Sequence, residues 1–336
     1  MIADLYRNFD QSPIRWFASF VAVTLLLMAL PIGYGTMFLL SWIFIYAIAT
    51  LGFNLLFGYT GMLSFGHAAF FGGGAYSVAL LQEFAGIHSV LLLLLLSVLV
   101  VLVMGAVFGA VSLRASDLYF SLLILALAQM TFVVVKKSRS ITGGEDGIAV
   151  PTPHFLTLTF ENANSIQYMA GFFYSFVALL FGCSVVAAWL LVRSPFGLTI
   201  RSIRENEDRA RAMGIPVLRY KWYATVLSAV FVGLAGALYA IQFQHISPQL
   251  IDWRFSGLIL FMALFGGTNS FLGPIVGAGA YVLMTNYLLD AFPGSWRFFV
   301  GLVLVFVVLT MREEGIWGSS KRVLGWLVER RWANVS

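Results

Sequence analysis

Charge and cysteine are both scarce in this chain, and each scarcity excludes a class of protein. Asp, Glu, Lys and Arg make up 10% of the 336 residues, against roughly 25% in soluble domains. A water-soluble domain is therefore ruled out as the main architecture. Cys183 is the one cysteine, so no intramolecular disulfide can form and a thiolate metal cluster is excluded. No Gly-Lys dipeptide occurs. A phosphate-binding loop of the form G-x-x-x-x-G-K-[ST] cannot exist, and the chain does not hydrolyse ATP by that route. Neither H-E-x-x-H nor G-x-S-x-G is present, and His67, His88, His154 and His245 are scattered. No catalytic residue, cofactor or metal site is expected.

Apolar residues are abundant instead. They form 60% of the chain, and the mean hydropathy is +0.90, which defines an all-α, polytopic transmembrane helical bundle. A bilayer core about 30 Å thick needs roughly 20 apolar residues per helix. Runs near 16–32, 37–57, 69–82, 88–111, 118–135, 166–192, 222–245, 256–268, 271–289 and 297–311 predict about eight to ten spans, the third and eighth being short. Residues 1–15 carry Asp4, Arg7, Asp10 and Arg15 and lack the pattern of a cleaved signal peptide. They are expected to form a cytoplasmic N-terminal segment, 16–311 a transmembrane domain, and 312–336 a cytoplasmic tail. Within the tail, basic residues alternate with Leu324, Leu327 and Val328, the pattern of a helix lying on membrane lipid at the interface.

Orientation follows from the rule that basic residues in short loops stay cytoplasmic. Placing 193–221 inside puts most Lys and Arg inside. The exceptions are Lys136, Lys137, Arg139, Arg254 and Arg297. The pI near 9.4 is thus mostly topology, and it gives no support to nucleic-acid binding. Both termini are expected in the cytoplasm.

The densest charge lies in RSIRENEDRARAMGI at 201–215. Such a stretch cannot cross a bilayer, since one Arg or Asp at its centre costs about 2.5 to 3.5 kcal/mol even on mild scales. Ser202 with Glu205 fits a capping box, and Gly214 before Pro216 fits a stop, predicting a helix over about 203–213. Glu205–Arg209, Glu207–Arg211 and Arg204–Asp208 have the i,i+4 spacing that supports a helix in water. Ile203, Ala210, Met213 and Gly214 form a narrow stripe suited to a partner's socket. An ordinary solvated loop helix fits the same spacing.

A second stretch, GYTGMLSFGHAAFFGGGAY at 58–76, breaks an apolar run with Gly58, Gly61, Gly66, Gly72, Gly73 and Gly74. LFGYTGMLSFGHAAFFGGGAY from Leu56 and LFGGTNSFLGPIVGAGAY from Leu264 align across a three-residue gap, and the even number of intervening spans makes the repeat parallel. Paired Gly/Pro-interrupted segments point to a transport pathway; tight helix packing explains the glycines equally. Gly58, Thr60, Gly61, Ser64, Gly66, His67, Gly266, Gly267 and Thr268 are the pathway candidates, with His67 read first as a packing residue. No expected span carries Asp or Glu near its middle. An ion-coupled secondary transporter, the reading from a different class, lacks its usual relay. A carrier without ion or ATP sites must receive energy from elsewhere, and the charged helix is a place to receive it.

These stretches, together with TGGEDGI at 142–148, FGLTIRSIRENEDRARAMGI at 196–215 and LSAVFVGLAGALYA at 227–240, resemble the LivM-type permease subunits of branched-chain amino-acid ABC transporters. The resemblance spans roughly Leu51 to Met311. It implies an importer in the bacterial inner membrane with a second permease subunit, two ATP-binding subunits and a periplasmic substrate-binding protein. It implies further that Arg204, Glu205, Glu207, Asp208, Arg209, Ala210, Arg211 and Gly214 belong to an ATPase-coupling segment. Relatives of the same build carry urea or short amides. Two places depart from the family pattern: Leu258, where many members have an acidic residue, and GGTNS at 266–270 in place of GGLGS, a change at both Thr268 and Asn269. The polar loop at about 138–165, with Glu145 and Asp146, is expected to face outward and to suit a docking binding protein.

Overall fold

The computed structural model describes residues 33–115, 117–154, 172–292, 294–311 and 315–318. The expected N-terminal segment, the first expected span and most of the tail lie outside the described residues, as does 155–171. Among the described residues the membrane helices are α1 (Tyr34–Thr60), α2 (His67–Ala85), α3 (Val90–Ser112), α4 (Asp117–Lys137), α5 (Tyr174–Arg193), α8 (Val217–Phe243), α9 (Trp253–Gly266), α10 (Gly273–Ala291) and α11 (Trp296–Met311). They answer to the nine expected spans from 37 onward. Between α5 and α8 lie two short helices, α6 (Pro195–Glu205) and α7 (Glu207–Ala212). Five of these helices, α1, α3, α4, α5 and α8, are long and apolar enough to cross a membrane alone.

Burial sorts the long helices into layers. In their most apolar stretches α1 and α8 are 78% and 72% buried, whereas α3 and α4 are 33% and 22% buried. The first pair is the core and the second pair the lipid-facing wall. Small residues let the core helices approach to backbone contact. A Cβ on Gly74 of α2 would meet the carbonyl of Gly233 on α8, and one on Gly236 of α8 would meet the carbonyl of Phe71. On the other sides of α8, a Cβ on Gly52 of α1 would lie 2.6 Å from the Phe231 Cβ, and one on Gly105 of α3 would lie 2.6 Å from the Ala229 Cβ.

The bundle has two ends. One carries α6 and α7 and is the charged face. The other carries a two-residue strand, β1 (Ile148–Ala149), paired antiparallel with β2 (His245–Ile246), and is the hairpin face. Beyond β2 the chain turns back into the bundle: Ile251 packs against Gly72, in the second turn of α2. Helix α9 therefore begins at depth and has only 14 residues.

The glycine-rich repeat is a repeat of structure. Helix α1 ends at Thr60 and α2 begins at His67; α9 ends at Gly266 and α10 begins at Gly273. Both breaks are six residues long, and one offset of 206 relates the two. The same offset carries α2 onto α10, each 19 residues long, and the start of α3 at Val90 onto the start of α11 at Trp296. The two copies run in the same direction, as expected. The register is corrected: the structure needs no gap, because shared words such as LFG and GAY fall at slightly different distances from the breaks. At this offset Gly61 meets Gly267, with φ of 77° and 102°, a conformation that L side chains rarely adopt. Ser64 meets Ser270, and each hydroxyl accepts a backbone N–H at the start of the following helix, from Gly66 at 3.3 Å and Gly273 at 3.0 Å.

The copies also bond each other reciprocally. Thr50 Oγ1 of α1 donates to the Pro274 carbonyl of α10 at 3.1 Å, and Ser256 Oγ of α9 accepts from the Ala68 N–H of α2 at 2.8 Å. Ser256 is Thr50 moved by 206 residues, and Pro274 is Ala68 moved by 206. A pseudo-two-fold axis therefore runs between the breaks. Nonhelical backbone at membrane depth is tolerated where protein buries it, and Met62, Ser64, Gly66, Gly267 and Thr268 are buried.

Candidate functional site

The charged stretch folds as two helices instead of the one expected over 203–213. Ser194 caps the first, its Oγ accepting the Gly197 N–H at 3.3 Å, with Pro195 in the first turn. Phe196, Ile200 and Ile203 follow at helical spacing and lie against the bundle, with Leu55, Val192, Tyr220, Ala210 and Val217 among their neighbours. Ser202, expected as the cap, sits inside α6 and donates to the Thr199 carbonyl at 2.8 Å. The second cap is Asn206, in extended conformation, whose Oδ1 accepts the Arg209 N–H at 2.9 Å. Asn is among the strongest N-caps; it ends α6 and starts α7 at one residue.

That break decides the fate of the expected pairs. Glu207–Arg211 forms within α7 at 2.5 Å, and Glu207 also holds Lys221 of α8 at 2.5 Å. Partial burial raises the Glu207 pKa, but the two cations outweigh it and hold the carboxyl below its usual range. Glu205–Arg209 and Arg204–Asp208 each straddle Asn206, and the α-helical geometry needed for them is interrupted. The expected stripe is corrected too. Ile203 and Ala210 are buried against Val217, while Met213 and Gly214 are exposed. Glu205, Asp208, Arg209 and Arg211 remain exposed on the charged face.

Arg204 turns inward. Its Nη1 donates to the Gly58 carbonyl at the end of α1, and its Nη2 donates to Asn269 Oδ1 in the second break at 3.1 Å. Its aliphatic stem packs on Gly61, where a Cβ would lie 3.0 Å from Cγ. One guanidinium thus joins α6 to both members of the repeat. Asn269 belongs to the GGTNS departure noted in the sequence but was not among the pathway candidates, and Asn54 was not singled out; its buried carboxamide lies against Gly58 and finds no bonding partner among the described residues.

A cleft of about 740 Å³ opens on the charged face beside Arg204, lined by Thr60, Gly61, the loop after α3 and the α6–α7 junction. The other pathway candidates lie deeper. Gly58 approaches the Thr268 carbonyl, with 2.7 Å left for a Cβ, and Gly66 leaves 2.7 Å to Ile124 of α4. Gly266 and Gly267 pack against Gly273, Gly277 and Gly315. His67 is fully buried, its Nε2 2.8 Å from Ser228 Oγ, which donates to the Gly52 carbonyl at 2.7 Å, and its ring meets Phe53 and Phe70 edge to face. It joins α1, α2 and α8 as a packing residue. Among the described residues no group of three His, Cys, Asp or Glu could hold a metal.

A multi-pass helical bundle with parallel broken-helix repeats defines a membrane transport subunit. The sequence model of the branched-chain amino acid transport system permease component matches residues 35–308, and the chain belongs to that family. It is 27% identical to the high-affinity branched-chain amino acid transport system permease protein LivM of Escherichia coli K12, over 91% of this chain and 76% of that protein. It is 24% identical to a probable LivM of Methanocaldococcus jannaschii, over 79% of this chain and 84% of the relative. A guanosine ABC transporter permease, NupQ of Bacillus subtilis, is 30% identical over 45% of this chain and half of its own length. No solved structure matches.

Proposed function

We propose that this permease subunit imports branched-chain or similar hydrophobic amino acids across the bacterial inner membrane, with energy from separate ATP-binding subunits that dock on α6 and α7. On this reading the charged face is cytoplasmic and the hairpin face periplasmic. A second permease subunit completes the pathway, and a periplasmic binding protein delivers substrate at the hairpin face. The LivM relatives support the substrate class. The observation that carries the coupling is Arg204: a helix on the charged face holds both helix breaks through one side chain, so displacement of that helix is felt at both.

Crosslinking tests the docking. Ala210 is buried and would report packing, whereas Met213 is 64% exposed at the end of α7. With Cys183→Ala as background, Met213→Cys in native membranes should crosslink to a soluble ATP-binding subunit, with a yield that changes with nucleotide. A folded, labelled protein that captures no such subunit would overturn the reading and favour ion coupling, for which a protonophore would abolish uptake at constant ATP.

A further inference from the structure

Beside the cleft, and sharing Leu113, Arg114 and Leu218 with it, a groove of about 410 Å³ lies between the end of α3 and the start of α8, at the edge of the charged face. Arg114 and Arg219 flank it, Trp222 and Tyr223 stand beside them, and Ala110, Leu113 and Leu218 complete the lining. The indole is fixed: Trp222 Nε1 donates to the Ala106 carbonyl at 3.0 Å, and the ring packs over Gly109, 3.2 Å from a Cβ placed there. Both arginines are exposed, and among the described residues neither meets a carboxylate. Toward the membrane the groove continues into an exposed apolar strip of α3, where Val103 and Val107 are 59% and 53% exposed.

Two exposed guanidiniums, an indole and a phenol, and an apolar strip below them form a vertical sequence of chemistries. A phosphate takes the forked donors of Arg, Trp and Tyr sit at headgroup level, and acyl chains lie along exposed Val and Leu. We propose that this groove binds the headgroup of an anionic phospholipid in the leaflet at the charged face. Basic pockets between membrane helices select such lipids over zwitterionic ones. The site is independent of what the protein carries.

The test uses the full chain purified in mild detergent, stripped of lipid and examined by native mass spectrometry with phosphatidylglycerol or phosphatidylcholine. Phosphatidylglycerol should be retained and phosphatidylcholine washed away. Each Arg near an anionic headgroup contributes roughly a factor of five, so Arg114→Gln with Arg219→Gln should weaken phosphatidylglycerol retention about 25-fold. Arg114→Lys with Arg219→Lys should keep most of it. A control that removes two charges at the hairpin face, Lys136→Gln with Lys137→Gln, should retain the lipid fully. Equal retention of the two lipids by the unmodified protein would overturn the proposal whether or not any variant folds. So would equal loss in the control variant. Displacement of the lipid by millimolar inorganic phosphate as readily as by soluble phosphatidylglycerol would assign the groove to free phosphate and overturn the lipid.

Discussion

Replacing Arg204 by Ala should uncouple ATP hydrolysis from transport. The side chain supplies two charge-assisted hydrogen bonds, one to the Gly58 carbonyl and one to Asn269. Such bonds contribute about 1.5 to 3 kcal/mol each when sheltered. Arg204 is exposed, so screening reduces each to about 1 kcal/mol. Losing both weakens the link between α6 and the two breaks by about 2 kcal/mol, a factor of about 30. In proteoliposomes holding the complete transporter, Arg204→Ala should lower substrate uptake about 10- to 30-fold while ATP hydrolysis stays within about threefold of the unaltered complex. Asn269→Ala removes one bond and should lower uptake about fivefold. Because both changes act on one link, the double variant should resemble Arg204→Ala alone. Arg204→Lys keeps the charge but loses the fork, and its uptake should fall between. Uptake and hydrolysis falling in parallel, or additive losses in the double variant, would refute the link.

Three further outcomes follow from other contacts. Glu207 has a lowered pKa in the folded protein, so its pairing with Lys221 and Arg211 is fully present above the ordinary carboxylate value of about 4.3 and is lost as pH falls through the lowered value. Hydrogen exchange in α7, corrected for intrinsic rates, should accelerate across that acid window and show no such step in Glu207→Gln. At the hairpin face, Lys136–Glu145 and Arg139–Asp146 pair at 2.6 and 3.1 Å on exposed side chains. Glu145→Ala with Asp146→Ala should lower binding-protein-stimulated uptake with little change in melting temperature, and unchanged stimulation would remove the docking idea. Gly236→Ala would push a methyl into the Phe71 backbone and, like other overpacking changes, should cost about 1 to 3 kcal/mol. Gly257→Ala, inside α9, meets nothing within 4 Å and should leave thermal stability unchanged or slightly raised, so equal losses would contradict the packing.

The spans were legible because a bilayer demands long apolar runs, and nine of the expected runs are helices among the described residues. The charged stretch was less so. Ser202 with Glu205 and Asn206 offer competing caps within five residues, and spacing does not choose between them. Tertiary packing does: Ile200 and Ile203 belong to a helix already running from Pro195, so Ser202 lies in its interior. The Ser194–Pro195 pair is the signal that could have revealed this start. The repeat was visible but its register was not, since Gly-rich apolar segments align in several ways. Only residues that do the same local job, Gly61 with Gly267 and Ser64 with Ser270, identify the right one. Asn269 stood out as part of the GGTNS departure, but its role did not, because that depends on Arg204, 65 residues away.

The two copies of the repeat differ in one respect that bears on mechanism. In the first, α1 runs 27 residues without interruption; in the second, the residues at the same offset are split between the end of α8, β2 and the 14-residue α9. A continuous helix buried on most of its surface resists bending, because bending breaks its backbone hydrogen bonds and its packing together. A short helix that begins at depth can tilt about its deep end, since the segment before it already lacks helical bonds. That segment is the strand which pairs with β1 and leads onward to Ile251 on α2. Motion of α9 would therefore reach the hairpin face through β2 and the charged face through Asn269 and Arg204. The two copies thus differ in continuity, one a single 27-residue helix and the other a strand, a turn and a 14-residue helix.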